Sequence, residues 1–100
     1  MREDRQRLDK WLWFARFAKS RTLASKLVAS GFVRIDGQRE DNPAKAVAVG
    51  DVITLALART TIVVKVEDLG RRRGPAPEAR LLYTELGRDD GALVSVDPKG

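Results

Sequence analysis

The hydrophobic positions of the first thirty residues follow a helical period and divide into two segments. In the first segment the apolar residues recur at i, i+3, i+4 and i+7 and form one stripe: Leu8, Trp11, Leu12 and Ala15. In the second segment Ser20 is a natural N-cap, and Gly31 is expected to end the helix in a left-handed conformation. The side chains expected to face inward from this second helix are Leu23, Ala24, Leu27 and Val28. Two consecutive helices are therefore predicted.

Beyond Gly31 the pattern changes to that of strands. Apolar, largely β-branched runs predict strands over 32–35, 46–49, 52–57 and 61–66. Asp36-Gly37 predicts a tight hairpin, because a two-residue type I′ turn needs positive φ at both positions. The charged run from Arg2 to Arg7 predicts a frayed lead-in.

Prolines and glycines predict a loop over 71–77, and apolar residues at helical spacing predict a short helix over 78–86. The expected fold class is α+β: two N-terminal helices packed on a small antiparallel sheet, with a short C-terminal helix. One hundred residues suffice for one hydrophobic core. We expect the main domain over 7–69, a basic loop and short helix over 70–87, and a mobile tail over 88–100.

Composition excludes several kinds of chemistry. The chain has no cysteine and no histidine, which removes disulfides, thiol nucleophiles, histidine bases and zinc sites of the Cys/His kind. No glycine-rich phosphate loop or paired carboxylate is evident. We therefore expect a protein without catalytic residues, metal, cofactor or small-molecule substrate. No apolar run reaches the roughly 20 residues of a membrane span, and no signal peptide is evident, so a cytoplasmic protein is expected.

The net charge of +5 is concentrated in the N-terminal half of the chain. Between Arg7 and Arg34 there are seven cationic side chains and one acidic one, Asp9. This asymmetry favours a surface that binds a polyanion, and the alternative is a solvated helical face.

The turn between the two helices is the most specific candidate site. Arg16, Lys19 and Arg21 surround the predicted N-terminus of the second helix, where free amides and the helix dipole favour a phosphate. Lys10, Lys26 and Arg34 would extend this surface. Asp9 is expected to pair with Arg7 or with another arginine and to orient it.

The aromatic residues of the first helix have two interpretations. Trp11 and Phe14 are expected in the core. Trp13 and Phe17 share the other side of the helix, where they either pack or stack on unpaired RNA bases.

These residues together resemble a known RNA-binding family. The run from Arg7 to Leu12, then Ser20-Arg21 with Gly31, then the run from Val33 to Gly37, resembles the S-four RNA-binding domain, also called the αL motif. The resemblance covers roughly residues 7–57. Among proteins with this domain, the chain is most similar to the fifteen-kilodalton heat-shock RNA-binding family.

That resemblance implies binding to ribosomal RNA on large subunits blocked by nascent-chain tRNA, as part of the heat-shock response. The residues that would contact RNA are Arg7, Lys10, Arg16, Lys19, Ser20, Arg21, Lys26 and Arg34. Secondary contacts are expected at Lys45, Arg71, Arg72 and Arg73. We expect a monomer. The alternatives are an RNA-binding module in ribosome assembly or RNA modification, a DNA-binding role, and a protein–protein adaptor that uses the aromatic helix.

Overall fold

A computed structural model of the protein describes residues 5–90. Within that range the helices are α1 (Leu8–Phe14), α2 (Arg21–Ala29) and α3 (Ala76–Ala79), the last followed by a 3-10 turn over Arg80–Leu82. The strands are β1 (Arg5–Arg7), β2 (Val33–Ile35), β3 (Gln38–Arg39), β4 (Ala46–Ala48), β5 (Val52–Ala56), β6 (Thr60–Val66) and β7 (Tyr83–Asp90).

The strands form two antiparallel sheets. The larger sheet has the order β3-β2-β5-β6-β7, and the smaller one pairs β1 with β4. Helices α1 and α2 pack against each other, and their apolar residues share one core with the buried residues of the larger sheet. The predicted α+β class is confirmed.

The predicted stripe of α1 forms the centre of the core. Leu8, Trp11, Leu12 and Ala15 are all buried. The Trp11 indole N–H donates to the Asp68 carbonyl at 3.0 Å, so its polar atom is satisfied without leaving the core. On α2, Ala24 and Val28 are buried and Leu27 is half-buried. The prediction that Leu23 faces inward is wrong, because 47% of this side chain is exposed.

The Asp36-Gly37 hairpin is confirmed. The φ angles are 52° at Asp36 and 86° at Gly37, both positive as the type I′ turn requires. The turn sets the register in which Arg34 pairs with Arg39 and Ile35 with Gln38.

Replacing Gly37 with valine is expected to lower the free energy of unfolding by about 1–2 kcal/mol, because a β-branched residue resists positive φ. A Cβ at this position would meet no atom within 4 Å, so the cost is conformational rather than steric. The matched control is Gly87→Val, at a strand glycine that has equal space and no positive φ. Urea denaturation of both variants tests this, and equal stability of the two would place the strain elsewhere.

The N-terminal segment differs from its prediction. Arg5–Arg7 does not fray but pairs as β1 with β4. The Gln6 side chain reinforces this position, donating to the Gly70 carbonyl at 2.8 Å and accepting from its N–H at 3.0 Å. The polar sequence carries no sign of this pairing, because its partners are 39 to 64 residues away.

The short C-terminal helix is present, but the predicted extent of 78–86 is wrong. The helix occupies Ala76–Ala79, and Tyr83–Asp90 forms strand β7 beside β6. The register shifts between Val63 and Val64, which leaves Leu86 as an extra residue in the bulge. Pairing with β6 therefore overrides the local helical spacing of the apolar residues.

The expected tail over 88–100 falls in two parts. Residues 88–90 belong to β7, and residues 91–100 lie outside the described residues.

Candidate nucleic-acid interface

The turn from α1 to α2 is built by local backbone signals. Arg16 adopts a left-handed conformation with φ 67° directly after α1, and this redirects the chain. Ser20 is extended (φ −150°, ψ 164°), and its hydroxyl accepts from the Leu23 N–H at 3.1 Å. The predicted N-cap is confirmed. Helix geometry leaves the N–H groups of Arg21 and Thr22 without an intrahelical acceptor, so this end of α2 can receive an anion.

A buried carboxylate connects the two helices. Asp9 is 2% exposed and accepts from Arg7 through both oxygens, at 3.1 Å from Nε and 3.0 Å from Nη2. The Ser25 hydroxyl on α2 donates to Asp9 at 2.8 Å, and Arg21 Nη2 lies 3.8 Å from it. The Arg7 and Arg21 side chains remain about half exposed, so each can also donate to a ligand. Asp9 therefore positions two cations on one surface.

The Asp9 carboxyl is held in its charged form. Burial alone would raise its pKa, but hydrogen bonds from Arg7 and Ser25, together with the Arg7 charge, outweigh burial and lower the pKa below its usual range. The hydrogen bond to Asp9 and the negative charge of Asp9 raise the pKa of Arg7.

Asp9 should make stability depend on acid pH. Because its folded pKa is below the ordinary 3.8, its contribution is complete above that value and is lost as the pH falls through the lowered pKa. We expect the stability difference between wild type and Asp9→Asn to be constant from pH 7 to about pH 5 and to shrink towards pH 2. Urea titrations across this range measure it, and a difference independent of pH would contradict the assignment.

Two arginines form hydrogen bonds between the loop after β6 and the α1–α2 turn. Arg16 Nε donates to the Gly74 carbonyl at 2.7 Å. In the opposite direction, Arg73 Nη1 donates to the carbonyls of Ala18 and Lys19, at 3.4 and 3.1 Å. The Arg73 guanidinium also lies 5.5 Å from the centre of the Trp13 ring, in cation–π geometry. The basic loop thus forms part of the turn's surroundings.

The structure brings some of the predicted RNA-contact residues together and leaves others apart. Arg7 and Arg21 meet at Asp9, and Arg16 and Lys19 lie at the loop contact. Lys26 is exposed on α2.

The other two predicted cations make contacts within their own segments. Lys10 Nζ lies 5.6 Å from the centre of the Phe14 ring, and Arg34 Nη1 donates to the Gly37 carbonyl at 3.4 Å on the β2–β3 hairpin.

The predicted secondary contacts are not equivalent to one another. Arg71 is exposed, whereas Arg72 is paired with Glu78 at 2.7 Å. Arg73 is half-buried on the turn, a placement that no local sequence pattern predicts. Lys45 is exposed, and its carbonyl accepts from the Leu8 N–H at 2.8 Å.

The aromatic residues separate into core and surface. Phe17 packs between Trp11 and Tyr83, with ring centres 6.1 and 4.8 Å away, so packing is the correct interpretation for it. Trp13 stacks on Phe14 at 5.3 Å and is half-buried beside Arg73.

Among residues 5–90 there is no group of three or more acidic side chains that could hold a metal ion. None of the helices described there is long and apolar enough to cross a membrane.

The fold and the basic helix pair define an S4 domain, whose family model matches residues 6–53. A solved trimeric structure of heat shock protein 15 from Vibrio cholerae superposes with a TM-score of 0.78 at 43% identity, covering 83% of each chain. The chain belongs to the heat shock protein 15 family.

Curated relatives agree with this assignment. Heat shock protein 15 of Escherichia coli K12 is 44% identical over 79 residues, which are 79% of this chain and 59% of that protein. The Haemophilus influenzae homologue is 42% identical over 85 residues, covering 85% and 64% of the two chains. Small ribosomal subunit protein uS4 of Xanthobacter autotrophicus is 35% identical over 92 residues, covering 90% and 41%. The chain thus spans 59% of the length of its E. coli relative.

Proposed function

We propose that this chain is a non-catalytic RNA-binding protein of the cytoplasm that contacts ribosomal RNA through the α1–α2 turn. The observation that carries the proposal is the arrangement around Asp9, which places Arg7 and Arg21 beside the capped N-terminus of α2. Cations at a helix N-terminus suit the phosphates of a nucleic acid backbone.

The cations of this surface would have two different roles in binding RNA. Arg7, Arg21 and Lys19 would bind phosphates at the turn, with Arg16 and Arg73 holding the loop beside it. Phosphate contacts of this kind position a protein on RNA without reading its sequence. The shape of a folded RNA would then determine where the protein binds.

The ribosomal target is proposed from the relatives. Proteins named for heat shock and a protein of the small ribosomal subunit share this sequence pattern. We propose that this chain acts on large subunits blocked by nascent-chain tRNA, as the family resemblance implies. We propose that it acts there as a monomer, although the Vibrio relative is trimeric, and mass measurement of the RNA complex distinguishes the two.

The electrostatic part of the proposal is tested by salt. If about four to six phosphates are neutralised, log K should fall with log salt at a slope of roughly −3 to −5, with about 0.7–0.9 per contact. Filter binding to a ribosomal RNA fragment from 50 to 300 mM salt measures the slope. A slope near zero would instead favour the protein–protein adaptor.

A further inference from the structure

An apolar groove lies between α2 and the residues that flank strands β2 and β5. It has a volume of about 540 Å³, and its lining includes Phe17, Lys19, Leu23, Lys26, Leu27 and Phe32. Leu23 is 47% exposed and Phe32 50% exposed, so two large apolar side chains share one open surface. A contiguous patch of this kind, unlike a scattered apolar residue, indicates a binding site.

The backbone of Phe32 is held on both sides. Its N–H donates to the Leu27 carbonyl at 3.3 Å, and its carbonyl accepts from the Ala56 N–H at 2.9 Å. The preceding Gly31 has φ 86°, which closes α2 and directs the chain into this position. The aromatic ring is therefore presented from a fixed backbone, and binding would not need to order that backbone first.

The charges around the groove define its occupant. Lys19 and Lys26 lie at the groove, and none of the side chains that line it is acidic. A complementary ligand has an apolar, flat centre and negative charges at its edges. A nucleotide has this form, because its base presents a flat face for stacking and its phosphates are anionic.

The groove is also continuous with the proposed RNA surface. Lys19 lines the groove and belongs to the turn that Arg73 contacts, so the two surfaces share a residue and one RNA strand could contact both. An acidic peptide would match the charges but not this continuity with a phosphate-binding turn.

We propose that the groove binds an unpaired base of the RNA, stacked on Phe32, with the neighbouring phosphates at Lys19 and Lys26. This inference rests on the proposed function. It adds that the preferred ligand is a folded RNA with an unpaired nucleotide beside an RNA helix.

The experiment compares two sets of RNA hairpins that differ by one bulged nucleotide of randomised identity. We expect wild type to bind the bulged set about tenfold more tightly, which is the usual size of one base–aromatic stack. Phe32→Ala should remove this preference and leave affinity for the fully paired set unchanged. Phe32→Tyr should keep the preference. Leu81→Ala, which removes an exposed apolar side chain far along the chain, is the matched control and should also keep it.

Two results would overturn the inference while the proposed function stands. One is equal, salt-dependent affinity of wild type for both sets, and the other is an equal loss on both sets in Phe32→Ala. A third result would assign the groove to a protein partner. In that case an acidic amphipathic peptide would bind wild type, neither RNA set would displace it, and Phe32→Ala would lose binding of the peptide only. Failure of the proposed function looks different: wild type would bind neither set in a salt-dependent manner.

Discussion

Replacing Lys19 and Arg21 together with alanine is expected to weaken RNA binding by about 2 kcal/mol or more, which is at least tenfold. The two side chains flank Ser20, whose hydroxyl caps α2, so they project beside the free amides that would receive a phosphate. Both side chains are exposed, and the fold should remain intact. Filter binding measures the affinity, and circular dichroism with urea denaturation confirms the fold.

The control is Lys65→Ala with Arg80→Ala, which removes the same charge from exposed positions outside the proposed surface. It should lower affinity much less. The double change Arg71→Ala with Arg72→Ala should also cost less, since Arg72 is already paired with Glu78. If either of these variants lost more affinity than the Lys19 and Arg21 pair, the RNA would lie on a different face.

Asp9→Ala is expected to lower the free energy of unfolding by about 2–3 kcal/mol. The change removes the acceptor of the Ser25 hydroxyl and leaves Arg7 and Arg21 without their shared carboxylate. It should also weaken RNA binding, although it adds net positive charge, because the two guanidinium groups lose their common position. Chemical denaturation and filter binding measure the two effects.

Asp41→Ala is the matched control, since it removes an exposed carboxylate from a loop and adds the same net charge. Its stability should change by less than about 0.5 kcal/mol. RNA binding by Asp9→Ala that equalled or exceeded that of Asp41→Ala would mean that charge, and not position, controls binding.

The parts of the fold that sequence predicts correctly depend on neighbours in the chain. The stripe from Leu8 to Ala15, the cap at Ser20 and the turn at Asp36-Gly37 each need only a few consecutive residues. The strands β5 and β6 are recognised for the same reason, because their β-branched runs are long and continuous.

The failures arise where distant segments decide the structure. Tyr83 begins a strand because β6 offers an edge, and its ring packs on Phe17 at 4.8 Å. Arg5–Arg7 becomes a strand because β4 pairs with it. Leu23 fits the inward period of α2, yet 47% of it is exposed, at the groove that also borders Phe32. No local pattern contains these partners.

In the candidate site, too, the sequence predicts the features that depend on neighbouring residues and misses those that depend on distant segments. The cations of the turn follow from charge and capping in the sequence, and so does the pairing of Asp9 with Arg7. The contacts of Arg73 with the Ala18 and Lys19 carbonyls span more than fifty residues of chain, and only the folded structure brings them together.

The most direct test of RNA binding by the α1–α2 turn is cross-linking in cells followed by sequencing of the bound RNA. The proposed function predicts cross-links concentrated on large-subunit ribosomal RNA and strongly reduced in the Lys19→Ala, Arg21→Ala variant. Cross-links spread over unrelated transcripts, or equally strong in that variant, would contradict it.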